Sequence, residues 1–328
     1  MSWDATRLHI VTGKGGTGKT TVASALALAL AEQGKQVLLA EVEGRQGISQ
    51  AFDVPPLGEV ETRVARTAND GAVWGLSVDA KAALLEYLQM YYKLGMARGM
   101  LERFGVIDFA TTIAPGVRDV LLIGKVYEAV RRRASRRGVH HDQIYDVIVL
   151  DAPPTGRIGR FLNVNQEVAG LAKVGPIKNQ AESIMTMLTG AETAVHLVTL
   201  LEEMPVQETL EAAAELSEIG LRIGDVVVNQ ERADVLHRNA LAILQDENAD
   251  LSALESDLAA GGLRVGPTLV GGLVQAGRDL GDRLALQEQE LRDLQALDRP
   301  MRHLPFVPGG VDGGALRHLA SYFKGDRA

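Results

Sequence analysis

The apolar residues of this chain fall into short continuous runs, and this pattern predicts strands that are covered on both faces. Residues 8–11 and 37–40 are the two clearest runs, and residues 20–33 between them are rich in Ala and Leu, which favour helix. Continuous rather than alternating runs are typical of buried parallel strands. The first 40 residues therefore predict a β-α-β unit in which Gly34 ends the helix.

Further apolar runs predict further strands, and helical or irregular stretches separate them. These runs are residues 74–78, 146–150, 194–199, 225–228 and, more weakly, 302–307. The alternation predicts a single doubly wound α/β domain over residues 1–328, with a mostly parallel sheet. Two Met-containing helical stretches, at about 81–120 and 163–192, break this pattern, and we expect them to form an inserted helical subdomain.

The C-terminal part of the chain is predicted to be mostly helical. Residues 231–298 are polar with regularly spaced Leu, and the Gly pairs at 261–262 and 271–272 are predicted to break the helices. The last apolar residues have helical spacing, and we expect them to dock against the sheet. They are Leu316, Leu319, Tyr322 and Phe323.

Composition narrows the classes of function. The chain has 34 Lys and Arg against 42 Asp and Glu, a net charge of −8, which argues against a nucleic-acid backbone as the main partner. The basic run at 131–137 is predicted to be a solvated helix end. The absence of Cys excludes disulfides, thiolate zinc sites and thiol nucleophiles. Residues 1–6 lack a basic and apolar leader and no apolar run approaches membrane-spanning length, so we expect a cytoplasmic protein without a transmembrane segment.

A glycine-rich turn between the first strand and the first helix matches the P-loop pattern G-x-x-x-x-G-K-[ST]. Its glycines let backbone N–H groups surround phosphate oxygens, and the following helix presents its positive end to the same anion. Lys19 is predicted to reach the β- and γ-phosphates, and the Thr20 hydroxyl is predicted to bind Mg²⁺. The predicted nucleotide-binding residues are Gly13, Lys14, Gly15, Gly16, Thr17, Gly18, Lys19, Thr20 and Thr21.

The same turn also fits a second pattern, the dinucleotide fingerprint G-x-G-x-x-G formed by Gly13, Gly15 and Gly18. An acid near the end of the next strand, Glu41 or Glu43, would then bind the ribose. A dinucleotide site has no use for a Lys and a Thr directly after the last Gly, whereas a triphosphate–Mg²⁺ site needs both. We therefore favour a nucleoside triphosphate as the ligand.

The apolar run at 147–150 ends in Asp151, and this arrangement places a carboxylate beside the Mg²⁺ of a P-loop site. A stiff turn follows at 152–156, and its glycine leaves it free to respond to the γ-phosphate. Asp151 is therefore predicted to be a metal ligand and a catalytic residue. The alternative is that Asp151 only caps the next element.

Together these motifs resemble one family of P-loop ATPases. The turn at 14–20 is similar to the deviant P-loop of the signal-recognition and partition class, which carries an extra Lys early in the loop. The run at 151–162 resembles D-x-A-P-T-G-H-x-x-R-F-L of the arsenite-pump ATPases and the guided-entry ATPases, which target tail-anchored proteins. Residues 114–119, 226–230 and 304–308 resemble further motifs of that family, so the resemblance covers nearly the whole chain.

The resemblance implies a Mg²⁺-dependent ATP hydrolase that works as a homodimer, or as a heterodimer with a related ATPase, on an apolar protein or membrane-associated client. It implies that Lys14 reaches the phosphates of the other subunit, that Asn229 contacts the adenine, and that Pro305 lines the base pocket. The family's catalytic Asp, which orients the attacking water, falls at Glu43. Because Glu adds a methylene to that position, we predict slow hydrolysis.

Departures from the family pattern leave other functions open. Glu43 stands for the family's Asp, Arg157 replaces a switch His, and the lack of Cys removes both the zinc clamp of eukaryotic members and a thiolate site for arsenite. One alternative is a scaffold that binds ATP with little hydrolysis and regulates a partner. Another is a partition or positioning ATPase that acts on DNA or on a membrane, although the acidic charge disfavours it.

Overall fold

The computed structural model describes residues 6–42, 44–79, 82–83, 115–132, 145–169, 176–233, 238–246 and 249–324. Within these residues the chain forms one eight-stranded sheet, and apolar cores that include helical residues cover both of its faces. This architecture confirms the predicted doubly wound α/β fold.

The strands of the sheet are β1 (Leu8–Gly13), β2 (Gln36–Val42), β3 (Thr62–Arg66), β4 (Ala72–Val78), β5 (Val147–Asp151), β6 (Thr193–Thr199), β7 (Ile223–Glu231) and β8 (Met301–Pro305). Their order across the sheet is β3-β4-β2-β5-β1-β6-β7-β8, and every neighbouring pair is parallel except β3–β4. Each predicted strand is present within three residues at either end. The pattern missed β3, because an edge strand with exposed arginines shows no apolar run.

The helices of the described residues are α1 (Lys19–Glu32), α2 (Gly47–Phe52), α3 (Pro115–Arg131), α4 (Thr155–Leu162), α5 (Val164–Ala169), α6 (Pro176–Leu188), α7 (Glu203–Glu218), α8 (Arg238–Gln245), α9 (Ser252–Ala260), α10 (Pro267–Gln295) and α11 (Gly313–Ser321). Helix α1 is buried from Val22 to Ala31, because it lies between β strands on one side and α11 on the other. Gly34, with φ of 89°, turns the chain after α1 into β2.

The stretch predicted to be an inserted helical subdomain contains α3, α5 and α6. In α6, Ile184 and Leu188 are fully buried, and Met185 and Met187 pack against the same core. These two methionines therefore pack against the protein's own core. Residues 84–114 and 170–175 lie outside the described residues, and the subdomain as a whole stays a prediction.

One of the two helix breaks predicted at Gly pairs is wrong. Helix α9 does end at Ala260, directly before the first pair. Helix α10, however, runs unbroken through Gly271 and Gly272. A helical Gly costs about 1 kcal/mol relative to Ala, and packing of the helix outweighs that cost here. Val270 and Val274 are buried on α10, and Gly277 admits the Leu244 side chain, whose Cδ1 is 2.5 Å from the place of an added Cβ.

The C-terminal helix α11 docks as predicted, except at one residue. Leu316, Leu319 and Phe323 are buried in the core cluster that also contains sheet residues, and the main contact of α11 is with α1. Tyr322 is 39% exposed, so its assignment to the docking face is wrong. In the part of the chain that the structure describes, no helix has both the length and the apolar character needed to cross a membrane.

Two histidines form a buried pair between the central strands β1 and β6. His9 Nδ1 lies 3.0 Å from His196 Nε2, and His196 Nδ1 accepts a hydrogen bond from the Asp225 N–H at 3.1 Å. Burial lowers the pKa of His9 well below its ordinary value, and it lowers the pKa of His196 to about 3. Both rings are therefore neutral in the folded protein at neutral pH.

Acid is expected to destabilise the fold through this pair. Because both pKa values are lower in the folded state than in the unfolded state, the stabilisation is present above about pH 6.5 and is lost as the pH falls toward the folded-state values. Each histidine contributes up to about 1.4 kcal/mol per pH unit to the free energy of unfolding. Urea unfolding between pH 7.5 and 5 is expected to show a shallower pH slope in the double variant His9→Asn/His196→Asn. The control His318→Asn removes an exposed histidine from α11, and equal slopes in the parent and the double variant would contradict the prediction.

Candidate functional site

The glycine-rich turn lies between β1, a central strand of the sheet, and α1. Strand β1 lies between β5 and β6 and is parallel to both, so the carboxyl ends of these strands meet at one edge of the sheet. Asp151, the last residue of β5, pairs in register with Val11 of β1 and with Glu41 of β2. Parallel α/β sheets bind ligands at this edge, and Lys19, Thr20 and Asp151 line one cavity there.

Two glycines of the turn are required, one by close packing against backbone and the other by its backbone conformation and a neighbouring side chain. A Cβ on Gly13 would lie 2.1 Å from the Val198 carbonyl oxygen of the neighbouring strand. Gly18 has φ of 85°, and its Cβ would lie 2.4 Å from Asn229 Nδ2. Gly16 also has a positive φ of 90°. Gly15 is exposed with nothing within 4 Å of an added Cβ, so the chain's own packing does not require a glycine there.

Lys19 is buried under the turn that precedes it. Its Nζ donates a hydrogen bond to the Lys14 carbonyl oxygen at 3.1 Å, and Thr17 donates to the same oxygen through its hydroxyl at 2.9 Å. Burial lowers the pKa of Lys19 from its ordinary value, and the nearby Asp151 carboxylate opposes that shift. A buried cation held beneath a glycine-rich turn is suited to binding phosphate oxygens.

Thr20 and Asp151 form the corner of the site in which a metal is predicted. The Thr20 hydroxyl donates to Asp151 Oδ2 at 2.5 Å, and burial raises the pKa of Asp151 to about 6. The other carboxylate oxygen, Oδ1, is buried without a hydrogen-bond partner among the described residues. A hydroxyl and a carboxylate with an unused buried oxygen are the donors that Mg²⁺ prefers, so these residues fit the ion.

Glu41 supports a loop rather than a ligand. Its Oε1 accepts hydrogen bonds from the Gln46 N–H at 2.8 Å and the Ser77 hydroxyl at 3.0 Å, and its Oε2 accepts from the Ile48 N–H at 3.1 Å. The carboxylate is 1% exposed, so the protein itself uses the group that the dinucleotide alternative assigned to a ribose. Glu43, the predicted catalytic acid, lies outside the described residues.

Asn229 joins the end of β7 to the phosphate turn. Its Nδ2 donates to the Thr17 carbonyl oxygen at 2.8 Å, which leaves the amide oxygen as an acceptor. Next to it is a cavity of about 550 Å³, whose lining includes Asn229, Gln230 and Phe306. The guanidinium of Arg232 lies 4.4 Å from the centre of the Phe306 ring. Pro305, the predicted base contact, ends β8 in register with Glu231, and its neighbour Phe306 is the lining residue.

A second cavity, of about 280 Å³, lies over the phosphate turn. Its lining residues are Gly16, Gly18, Lys19, Thr20, Thr21, Glu41, Val42, Arg45, Asp151, Ala152 and Pro153. Lys14, although it belongs to the turn, is absent from this lining. Its Nζ instead lies 2.6 Å from Glu208 Oε1 on α7, at the rim of the site.

Sequence reasoning missed Glu208, because a single polar residue within a helix has no motif around it. Glu208 Oε2 accepts a hydrogen bond from the Thr155 hydroxyl at 2.8 Å, so one carboxylate contacts both the phosphate turn and the turn after β5. That second turn is also fixed by the Thr12 hydroxyl, which donates to the Pro153 carbonyl oxygen at 2.7 Å. Arg157 stands where the resembled motif has its switch His. Its side chain is about half exposed, and its Nη2 lies 3.9 Å from Asp119 Oδ1.

Comparison with known proteins gives matches along most of the chain. Residues 6–191 match the model of a family described as anion-transporting ATPase. The chain is 47% identical to the ATPase BagA of Mycobacterium tuberculosis, over 96% of this chain and 91% of that protein. It is 26% identical to an arsenical pump-driving ATPase of Acidiphilium multivorum, over 76% of this chain and 44% of that protein.

Proposed function

The chain belongs to the anion-transporting ATPase family, and on that premise we propose that it is a Mg²⁺-dependent ATPase whose nucleotide site closes face to face against a second P-loop subunit. Family membership confirms the predicted resemblance and makes the chain an ATP hydrolase, as its sequence predicts. The metal, the second subunit and the client go beyond family membership and are proposals, and the contacts of the site support the first two.

The position of Lys14 is the observation that carries the proposal. Its ammonium group is 2.6 Å from Glu208, 28% exposed, and outside the lining of the phosphate cavity of its own chain. Lys19 already supplies the buried cation of that cavity. This position supports a role for Lys14 at phosphates bound by another subunit, where it would stabilise charge in the transition state.

The remaining roles are proposed for residues that line or adjoin the two cavities. Lys19 and the turn's backbone amides are proposed to bind the β- and γ-phosphates. The amide oxygen of Asn229, whose Nδ2 donates to Thr17, is proposed to accept a hydrogen bond from the adenine amino group. Thr20 and Asp151 would hold Mg²⁺, which would neutralise charge on the phosphates. Glu43 is proposed to orient the attacking water.

The proposed partner is a second copy of this chain or a related ATPase, and the proposed localisation is cytoplasmic. A relative is named for an arsenical pump, but this chain has no Cys with which to bind a soft metalloid. The proposed client is an apolar protein segment, because residues 81–120 are rich in Leu and Met, and flexible apolar side chains suit variable apolar ligands.

Mixing two inactive variants tests whether Lys14 acts on another subunit. Alone, Lys14→Ala is expected to lose about a hundredfold in ATP turnover, and Lys19→Ala is also inactive. In a mixed pair, the Lys14→Ala chain keeps its own Lys19 and receives Lys14 from its neighbour, so one site in that pair is complete. Equal mixing is expected to restore about a quarter of the parent turnover, because half of the pairs are mixed and each has one complete site.

The same mixing experiment has a control and an opposite outcome. Mixing Lys14→Ala with more Lys14→Ala controls for the effect of protein concentration alone. If Lys14 acts only within its own chain, no mixture recovers activity, and the face-to-face arrangement of copies is wrong. Repeating the mixture with a related ATPase, if one co-purifies with this chain from its native source, tests the related-ATPase form of the proposal.

A further inference from the structure

Glu208 links the two turns that a bound triphosphate would contact. Its two carboxylate oxygens have different partners, since Oε1 is 2.6 Å from Lys14 Nζ and Oε2 accepts from the Thr155 hydroxyl at 2.8 Å. We propose that Glu208 is a positioning residue that holds Lys14 on its own chain until a second subunit closes, an inference that rests on the proposed function of Lys14.

The helix that carries Glu208 is itself firmly placed. Helix α7 packs against α4, the helix that begins at Thr155. At Gly159 of α4 an added Cβ would meet the Glu215 carboxylate of α7, so the two helices are in contact there. Because α7 and α4 are packed together, the carboxylate of Glu208 is presented to Thr155 and Lys14 from a fixed surface.

Lys14 can be released without unfolding the phosphate turn. Its carbonyl oxygen is tied to Lys19 Nζ and to the Thr17 hydroxyl, so the backbone at this residue is fixed. Only the side chain is held by Glu208. Rotation of that side chain would transfer the ammonium group to another subunit while the phosphate turn of its own chain stays intact.

The strength of the contact suits a reversible restraint. Lys14 and Glu208 are 28% and 30% exposed, and partly exposed ion pairs stabilise a contact only weakly. The phosphates of a second subunit, concentrated in a closing interface, would compete with one carboxylate for the lysine. The Lys14 hydrogen bond is also the first cause of the lowered pKa of Glu208, so the carboxylate is charged and able to hold the lysine at neutral pH.

Chemical labelling of Lys14 reads this restraint directly in the nucleotide-free chain. An amine-reactive acylating reagent is applied to the full-length protein, and the acylation rate of Lys14 is followed by mass spectrometry. Glu208→Gln keeps an acceptor for Thr155 but removes the ion pair, and it is expected to raise the rate about two- to fivefold. The matched control is Glu211→Gln, which removes the same charge from the exposed face of α7, where Glu211 contacts Gln207.

Turnover measured against protein concentration gives the second readout. Glu208→Gln is expected to reach half-maximal turnover per chain at a concentration about two- to fivefold lower, with an unchanged plateau. In a Lys14→Ala background the same substitution is expected to cause no shift. A labelling rate equal to the parent's, a lowered plateau, or a shift that persists without Lys14 would overturn the proposal.

The two proposals fail in different ways. Labelling needs no second subunit, so equal labelling rates together with successful complementation would reject the restraint and keep Lys14 in its role across the interface. Faster labelling in Glu208→Gln with no recovery in the mixed variants would reject the face-to-face arrangement.

Discussion

Replacement of Lys19 by alanine is expected to reduce ATP turnover about a thousandfold, the largest loss expected from any single side chain of the phosphate turn. Lys19 is 7% exposed, lines the phosphate cavity and carries the only charge that the turn directs into it. In such a buried site a cation stabilises developing phosphate charge far more than it would in water. The measurement is single-turnover hydrolysis at saturating ATP and Mg²⁺, which separates the chemical step from product release.

Lys178→Ala is the control for the Lys19 variant. Lys178 is an exposed lysine of α6 that pairs with Glu182, so its loss removes one positive charge without touching the site. Thermal unfolding of both variants establishes that each is folded. If Lys19→Ala hydrolysed ATP within tenfold of the parent, the phosphate turn would not be the site of hydrolysis.

The phosphate turn was predictable because its requirements are local. Its key residues stand within eight positions: the glycines at 13, 16 and 18, Lys19 and Thr20. Each residue type is dictated by backbone conformation or by the anion. Burial of β1 and of the strands beside it was predictable for a similar reason, since continuous apolar runs report strands that are covered on both faces.

Contacts between distant residues were not predictable in the same way. Glu208 is 194 positions from Lys14, and nothing in the sequence around it distinguishes it from the other acids of α7. Glu41 was assigned to a ribose in one alternative, because its place after a strand suited a ligand as well as a loop. The structure shows a carboxylate that accepts hydrogen bonds from Gln46, Ile48 and Ser77, and only tertiary packing determines that choice.

The substitution Asp151→Asn is expected to lower Mg²⁺-dependent turnover several hundredfold, the second of the two largest effects. Asp151 pairs with the Thr20 hydroxyl through Oδ2, and its Oδ1 is buried with no partner among the described residues. Asn has nearly the same shape and keeps an acceptor for Thr20, but it loses the negative charge that attracts the ion. Turnover measured across a Mg²⁺ titration is expected to need far more metal, or to stay low at every concentration.

Binding of ATP without metal separates this role from a general loss of structure. In EDTA, Asp151→Asn is expected to bind a fluorescent ATP analogue as tightly as the parent or more tightly, because a carboxylate beside the phosphates repels them when no cation lies between. Asp146→Asn is the matched control, since Asp146 precedes the same strand at its opposite end and accepts a hydrogen bond from the Gln36 N–H. Retention of Mg²⁺-dependent turnover within tenfold of the parent would show that Asp151 only caps the element that follows it. Weaker analogue binding in EDTA would assign Asp151 to the shape of the nucleotide cavity instead of to the metal.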